Sequence, residues 1–172
     1  MHAAAVITSL AAFASFGWGV LRFFRKPSGP SPRALAVAGF GLGFSVWNIV
    51  ALAHASAAPI FAGAGIAGHV LATLLFWGAI RACQGRPLTA IFETDQPVHL
   101  VRRGPYRWMR HPFYTSYTIF WFSGWIASGS TVSLLAALTM LAFYVQGARE
   151  EERKFAASPL AQEYAAYRRR GY

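Results

Sequence analysis

ALAVAGFGLGFSVWNIVALAHASAAPIFAGAGIAGHVLATLLFWGAI, residues 34–80, runs for 47 residues without an Asp, Glu, Lys or Arg. A helix that crosses a bilayer needs roughly 20 apolar residues, so this stretch is too long for one crossing and suited to two. Ala55-Ser56-Ala57-Ala58-Pro59 interrupts it near the middle. Two spans follow, over about 34–55 and 60–80.

The same reading extends in both directions. Residues 1–21 carry no charged side chain and fit one span, about 3–21. Residues 111–148 form another charge-free stretch, 38 residues long, with Ser128-Gly129-Ser130 near its centre. That pattern predicts a tight helical hairpin of two shorter spans, 113–127 and 131–146. Composition agrees: 55% of the 172 residues are hydrophobic and 13% are charged, against about 25% charged in soluble domains. The expected fold is therefore all-α: a polytopic integral membrane protein of about five transmembrane helices, the last two a hairpin. At this length one domain is expected over residues 1–172.

The charges set an orientation. The formal net charge is +10, and no acidic residue precedes Glu93. The basic residues form four groups: Arg22, Arg25, Lys26 and Arg33; Arg81 and Arg86; Arg102, Arg103, Arg107 and Arg110; and a last group from Arg149 to Arg170. All lie in the loop after the first span, the loop after the third, or the tail. The connections near Pro59 and Gly129 carry none. With five spans this predicts the N-terminus outside and the C-terminus in the cytoplasm, in a bacterial inner membrane. The first apolar run has its positive flank after it, so it reads as a retained helix and not a signal peptide. Topology accounts for the basic excess, and no nucleic-acid partner is expected. The single cysteine, Cys83, reads as a small apolar residue at a helix end and excludes a disulfide framework.

Two glycine patterns fall inside expected spans. Gly63-Ala64-Gly65-Ile66-Ala67-Gly68 matches a dinucleotide-binding pattern, but that pattern needs a strand before it and a helix after it. Inside a membrane helix, small residues instead let helices approach closely. Gly39-Phe40-Gly41-Leu42-Gly43 reads the same way. His54 and His69 lie in or beside spans without an acidic neighbour, and interhelical hydrogen bonds are their expected role.

The chemistry concentrates in two segments. In the first, Arg102-Arg103-Gly104-Pro105-Tyr106-Arg107-Trp108-Met109-Arg110-His111-Pro112-Phe113-Tyr114, a Gly-Pro turn leads to His111 at the start of the fourth span. Helix N-termini favour anions, and Arg107 and Arg110 add positive charge there. The second segment, Arg149-Glu150-Glu151-Glu152-Arg153-Lys154, follows the fifth span and holds half of the six acidic residues. Carboxylates near a helix C-terminus are poorly placed electrostatically, which points to a use for them. The hairpin brings both segments to one membrane face. No metal-ligand cluster is visible, and a ligand bearing both a carboxylate and a cation suits the pairing. Beyond it, Ser158-Pro159 reads as an N-cap and first-turn pair. Leu160, Tyr164 and Tyr167 then recur at helical spacing, predicting an amphipathic helix on the membrane surface.

Gly104-Pro105-Tyr106-Arg107, then Arg110-His111-Pro112-x-Tyr114, Glu151-Glu152 and the tail Glu163-Tyr164-x-x-Tyr167 resemble the isoprenylcysteine carboxyl methyltransferase family. The phospholipid N-methyltransferases are similar to it. The resemblance covers about residues 90–170, roughly half the chain, and the catalytic half is expected over about 90–172. It implies an all-helical membrane fold and S-adenosylmethionine bound at the cytoplasmic face. It implies that Tyr106, Arg110, His111, Tyr114, Glu151 and Glu152 hold the cofactor and that Arg149 and Glu152 act in catalysis. The family's arginine one turn before the acidic pair has no counterpart: Gly147 stands at about that place, and Arg149 is the nearest arginine. The implied function is methyl transfer to an amphiphilic or lipid-like acceptor in the bilayer. Two other readings compete. Membrane sterol reductases share an RHPxY-like segment and use NADPH, but generally have more helices. A non-enzymatic membrane subunit accounts for the spans and leaves the paired polar segments unexplained.

Overall fold

The computed structural model describes residues 1–24, 31–85, 88 and 99–169. Arg25, Lys26, Arg86, Glu93, Asp95 and Arg170, whose charges contribute to the expected orientation, lie outside the described residues. The described chain is all-helical: α1 (His2–Phe23), α2 (Pro32–Ala53), α3 (Pro59–Ala82), a 3-10 turn (Gly104–Arg107), α4 (Pro112–Ser128), α5 (Thr131–Ala156) and α6 (Ala161–Arg168). Helices α1, α2, α3 and α5 are long and apolar enough to cross a membrane. The fold is that of a polytopic all-α membrane protein.

Local chemistry sets the helix ends. Pro32 opens α2, and the Ser31 hydroxyl accepts from the Ala34 backbone N–H at 3.1 Å. Pro59 and Pro112 occupy the same first-turn position in α3 and α4, where the missing N–H costs nothing. Gly129, at φ 66°, closes α4 in the left-handed conformation that glycine adopts without penalty. Ser130 then caps α5 through the Ser133 N–H. The expected hairpin forms at the expected residues.

Its first arm matches the expected 113–127 to within one residue at each end, and its second is longer than expected. Helix α5 does not stop near residue 146 but continues to Ala156 and carries the acidic run within it. Charge marks where a helix leaves lipid, not where it ends: Ala148 to Lys154 are strong helix formers, and no breaker occurs before Ser158-Pro159. The tail also starts later than expected. Helix α6 begins at Ala161, and Ser158 stabilises the turn before it, accepting from Leu160 N–H at 3.2 Å and donating to the Phe155 carbonyl at 2.8 Å.

Helix α3 is the centre of the bundle, packed along α4 and α1; α5 lies on α4, and α2 bridges α1 and α5. Aromatic rings fill the core. Phe16 contacts Phe76 at 4.8 Å between centroids, Tyr117 at 5.4 Å and Phe120 at 5.6 Å. Buried Trp121 donates from Nε1 to the Tyr144 hydroxyl at 3.0 Å. The α3–α4 contact depends on the glycines of the dinucleotide-like pattern. A Cβ on Gly65 would stand 2.5 Å from Ala127 Cβ, and one on Gly68 would stand 2.0 Å from Ser123 Oγ. Packing explains that motif. It does not explain the other: a Cβ on Gly39 or Gly43 meets nothing within 4 Å, and only Gly41 nears a neighbour, Met140, at 3.7 Å. Gly39 and Gly43 face outward from α2, where no helix among the described residues covers them.

The two histidines also part. His69 is buried between helices, its Nδ1 3.4 Å from Thr8 Oγ1 of α1. His54 caps α2 and donates from Nδ1 to its own helix at the Val50 carbonyl, 2.9 Å away. It is exposed, and its bond is intrahelical rather than interhelical. Cys83 is buried at the C-terminal end of α3, its thiol 3.5 Å from the Tyr106 hydroxyl.

The glycine contrast is testable. Gly68→Val forces α3 and α4 apart and should cost about 1–3 kcal/mol, the usual range for overpacking. Gly39→Ala should leave the melting temperature of the detergent-purified protein unchanged or higher. Equal destabilisation by both would contradict a close α3–α4 contact beside an open face of α2.

Candidate functional site

The site is assembled from the foot of α3 outward. The 104–107 turn docks on the last turn of α3, where only small residues leave room. Gly104 has φ +59°, and a Cβ there would stand 3.0 Å from Ala82 Cβ; Pro105 lies 3.2 Å from where a Gly78 Cβ would be. Arg103 fixes the turn by donating from Nε to the Ala82 carbonyl at 2.7 Å. It thereby satisfies one of the unpaired carbonyls at the C-terminal end of α3. The Tyr106 hydroxyl rests against Cys83; burial first, then Cys83 and Glu151, keep its pKa well above the ordinary phenol value. It stays protonated and neutral.

From this anchored turn the chain reaches Arg110 and His111, the latter the N-cap of α4. Both meet α5. Arg110 Nη1 donates to Glu152 Oε1 at 2.5 Å, and His111 Nε2 lies 3.1 Å from the same oxygen. His111 Nδ1 lies 3.4 Å from Glu151 Oε2. Arg110 and His111 thus share one carboxylate, that of Glu152, 41 positions beyond His111 in the chain. Consecutive residues of a helix point about 100° apart, so the three acids diverge. Glu150 pairs instead with Arg33 at the start of α2, at 2.6 Å, while Glu151 and Glu152 face His111. Tyr114 stacks on His111 at 5.6 Å and on Tyr144 at 5.9 Å, linking the polar cluster to the aromatic core.

His111 has a carboxylate at each ring nitrogen, an arrangement that suits imidazolium, a donor at both positions. Burial alone would lower its pKa, but hydrogen bonds and charge from Glu151 and Glu152 outweigh it and raise the value.

Helix α6 closes the cluster from the other side. Tyr164 and Tyr167 are buried against Phe155 of α5, with the Phe155 and Tyr164 rings stacked at 4.6 Å. The Tyr167 hydroxyl donates to the Tyr106 carbonyl at 2.5 Å and approaches the Met109 carbonyl at 3.3 Å. Arg102 holds Glu163 through its carboxylate at 3.0 Å and its backbone carbonyl at 2.9 Å. The tail helix therefore uses its apolar face on the protein itself, rather than on a lipid surface. The Tyr164 hydroxyl has a pKa pushed up to about 12, by burial first and then by the Glu152 carboxylate, with the Arg110 guanidinium pulling the other way.

Of the residues expected from the sequence, Arg110, His111, Glu151 and Glu152 come together, with Tyr114 stacked on them and Tyr106 beneath. Arg149 lies on the exposed side of α5, and among the described residues no hydrogen bond or ion pair joins it to the cluster. Arg107 is also exposed. Arg102, Tyr164 and Tyr167 join the site although neither the first polar segment nor the tail motif implies a site role for them. The spacing of the two tyrosines indicates amphipathicity alone, and nothing in the sequence shows that their apolar face turns inward.

The described helices thus gather an arginine, a histidine and two glutamates at one end of the bundle. The profile of the phospholipid methyltransferase family matches residues 59–162, and the chain belongs to that family. The match runs from α3 through α5 into α6 and takes in the whole charged cluster; α1 and α2 precede it. Of the two resemblances in the sequence, it is the phospholipid one that the match supports. No curated protein and no solved structure matches the chain.

The raised pKa of His111 has a consequence for stability. A group whose pKa is raised by folding stabilises the folded state fully below its unfolded value, about 6.5 for imidazole, and that contribution is lost as pH rises through the folded value. Wild type should therefore melt above His111→Gln by the widest margin in mild acid, and the margin should narrow toward alkaline pH. A margin that widens with pH would show that neutral histidine is the stabilising form.

Proposed function

We propose that the chain is a single methyltransferase domain that moves a methyl group from S-adenosylmethionine to an amphiphilic acceptor entering from the bilayer. The observation that carries this reading is the shared carboxylate: Glu152 Oε1 accepts from Arg110 and lies within 3.1 Å of His111 Nε2. Two cationic donors already converge on one carboxylate position, and two glutamates stand beside it. An amino-acid end, with its carboxylate and ammonium groups, is complementary to that set. When bound, S-adenosylmethionine supplies a methyl group on a cationic sulfur, open to in-line displacement.

The chain's own residues then have limited tasks. Arg110 and His111 hold the carboxylate that takes the place of Glu152. Glu152, so released, and Glu151 accept from the ammonium group or from hydroxyls. Tyr114 and the rings below it form an apolar wall that keeps water from the reacting centre. Positioning of this kind accounts for most of what such a displacement needs. Arg149, exposed on α5 three positions before Glu152, is assigned the task of meeting a negative charge on the acceptor. The acceptor class is lipid-like, in keeping with the family, and the isoprenylcysteine carboxylate is one form it can take.

The site faces the cytoplasm in this reading, because the basic clusters of the sequence lie at the same end of the spans. Reporters fused at Met1 and Tyr172 should score on opposite sides of the membrane, with Tyr172 inside. Scoring on the same side would refute that orientation.

The shared site makes a stronger prediction. His111→Ala and Glu152→Gln should each weaken S-adenosylmethionine binding roughly ten- to a hundredfold, the equivalent of about 1.5–3 kcal/mol for a charged hydrogen bond. The double variant should lose less than the product of the two, since both act on one ligand. Isothermal titration of the detergent-purified protein reads both quantities. Well-folded variants that bind like wild type would remove the basis for this function.

A further inference from the structure

The geometry points to Tyr164 as an additional binding residue of this site, its hydroxyl donating to the carboxylate of the bound amino-acid end beside Arg110. This inference rests on the function proposed above and extends it to a residue of the tail helix. Three observations support it. Tyr164 is 4% exposed, and the group beside its buried hydroxyl is the Arg110 guanidinium, a donor only, so the hydroxyl hydrogen has no acceptor among the described residues. Buried hydroxyls are normally satisfied, and leaving one unpaired is unfavourable. The ring is fixed: it stacks on Phe155 at 4.6 Å, and Phe155 lies one turn beyond Glu152 on the same face of α5. The hydroxyl is also close enough to the Glu152 carboxylate and the Arg110 guanidinium for both to act on its ionisation.

The neighbouring tyrosine shows the contrast. Tyr167, on the same face of α6 and equally buried, donates to the Tyr106 carbonyl and so has a structural task. Tyr164 has the same packing, but its hydroxyl donates to no carbonyl or carboxylate among the described residues. Near its hydroxyl is the Arg110–Glu152 pair, whose side chains remain 28% and 24% exposed. A ligand carboxylate that replaces Glu152 on Arg110 arrives at that pair, where the Tyr164 hydroxyl is available as a donor. Arg102 and Tyr167, by tying α6 to the 104–107 turn and its surroundings, hold that donor in place.

Tyr164→Phe removes the hydroxyl and keeps the stacked ring. Three readouts on the full-length protein in detergent test the assignment. The melting temperature without ligand should change little, since the hydroxyl donates to no acceptor; Tyr167→Phe, which breaks a bond donated to a backbone carbonyl, should lower it. The Kd for S-adenosylhomocysteine should rise on the order of tenfold. The Kd for the analogue of that compound lacking the carboxylate should not change. Unchanged affinity for both ligands in Tyr164→Phe overturns the inference, as does an equal loss for both, or a drop in ligand-free stability like that of Tyr167→Phe. Failure of wild type to bind S-adenosylhomocysteine at all would be different: it would sink the proposed function itself.

Discussion

One carboxylate oxygen, Glu152 Oε1, ties the working end of this protein together. It receives Arg110 and His111 from the start of α4 while standing on the last turns of α5. The two helices are already joined at their other end by Gly129 and Ser130, so the contact closes a loop and fixes both ends of the hairpin. Charge of both signs at partial burial is expensive unless it is paired. The pairing therefore constrains where α4 begins, how far α5 extends and which of the three glutamates faces inward. The bonds are short and charged, yet incompletely shielded, which is the condition that the ligand exchange proposed above requires.

The remainder of the fold serves that end of the hairpin. Glycines at 65 and 68 let α4 lie directly on α3, and those at 78 and 104 let the turn before α4 seat on the foot of α3. Arg103 and Tyr167 pin that turn from two sides. At the opposite end, Asn48 accepts from Ser133 at 3.3 Å, and a Cβ on Gly124 would collide with it, so α2, α4 and α5 meet around one amide. Aromatic stacking between these levels gives stiffness without adding charge to the interior.

Much of this was legible in the sequence because lipid imposes a simple rule. Long charge-free stretches located the helices, and proline, serine and glycine located most of their ends. The two polar segments were recognisable because charge is scarce in such a chain and its placement informative. What was not legible depended on tertiary partners. Helix α5 outruns its apolar stretch because Arg, Glu and Lys propagate a helix in water as readily as leucine does in lipid. The outward glycines at 39 and 43 carry the same small-residue pattern as the packed ones at 65 and 68; only the neighbours distinguish them. The tyrosines of α6 advertised an apolar face, and an apolar face has the same spacing whether it meets lipid or Phe155. Arg149, one position from Glu150, was placed on an exposed side by the helical turn.

Helix α4 has 17 residues, which at 1.5 Å per residue is about 25 Å, some 5 Å less than a typical hydrocarbon core. Its four longer neighbours do not share this shortfall. Hydrophobic mismatch on one side of a bundle is relieved by local thinning of the bilayer or by tilt of the short element. Either response draws the His111 end and the lipid headgroups to the same depth. The amphiphilic acceptor proposed above would then meet the charged cluster by lateral diffusion, with its chains still in the bilayer, and without the energetic cost of extraction into water.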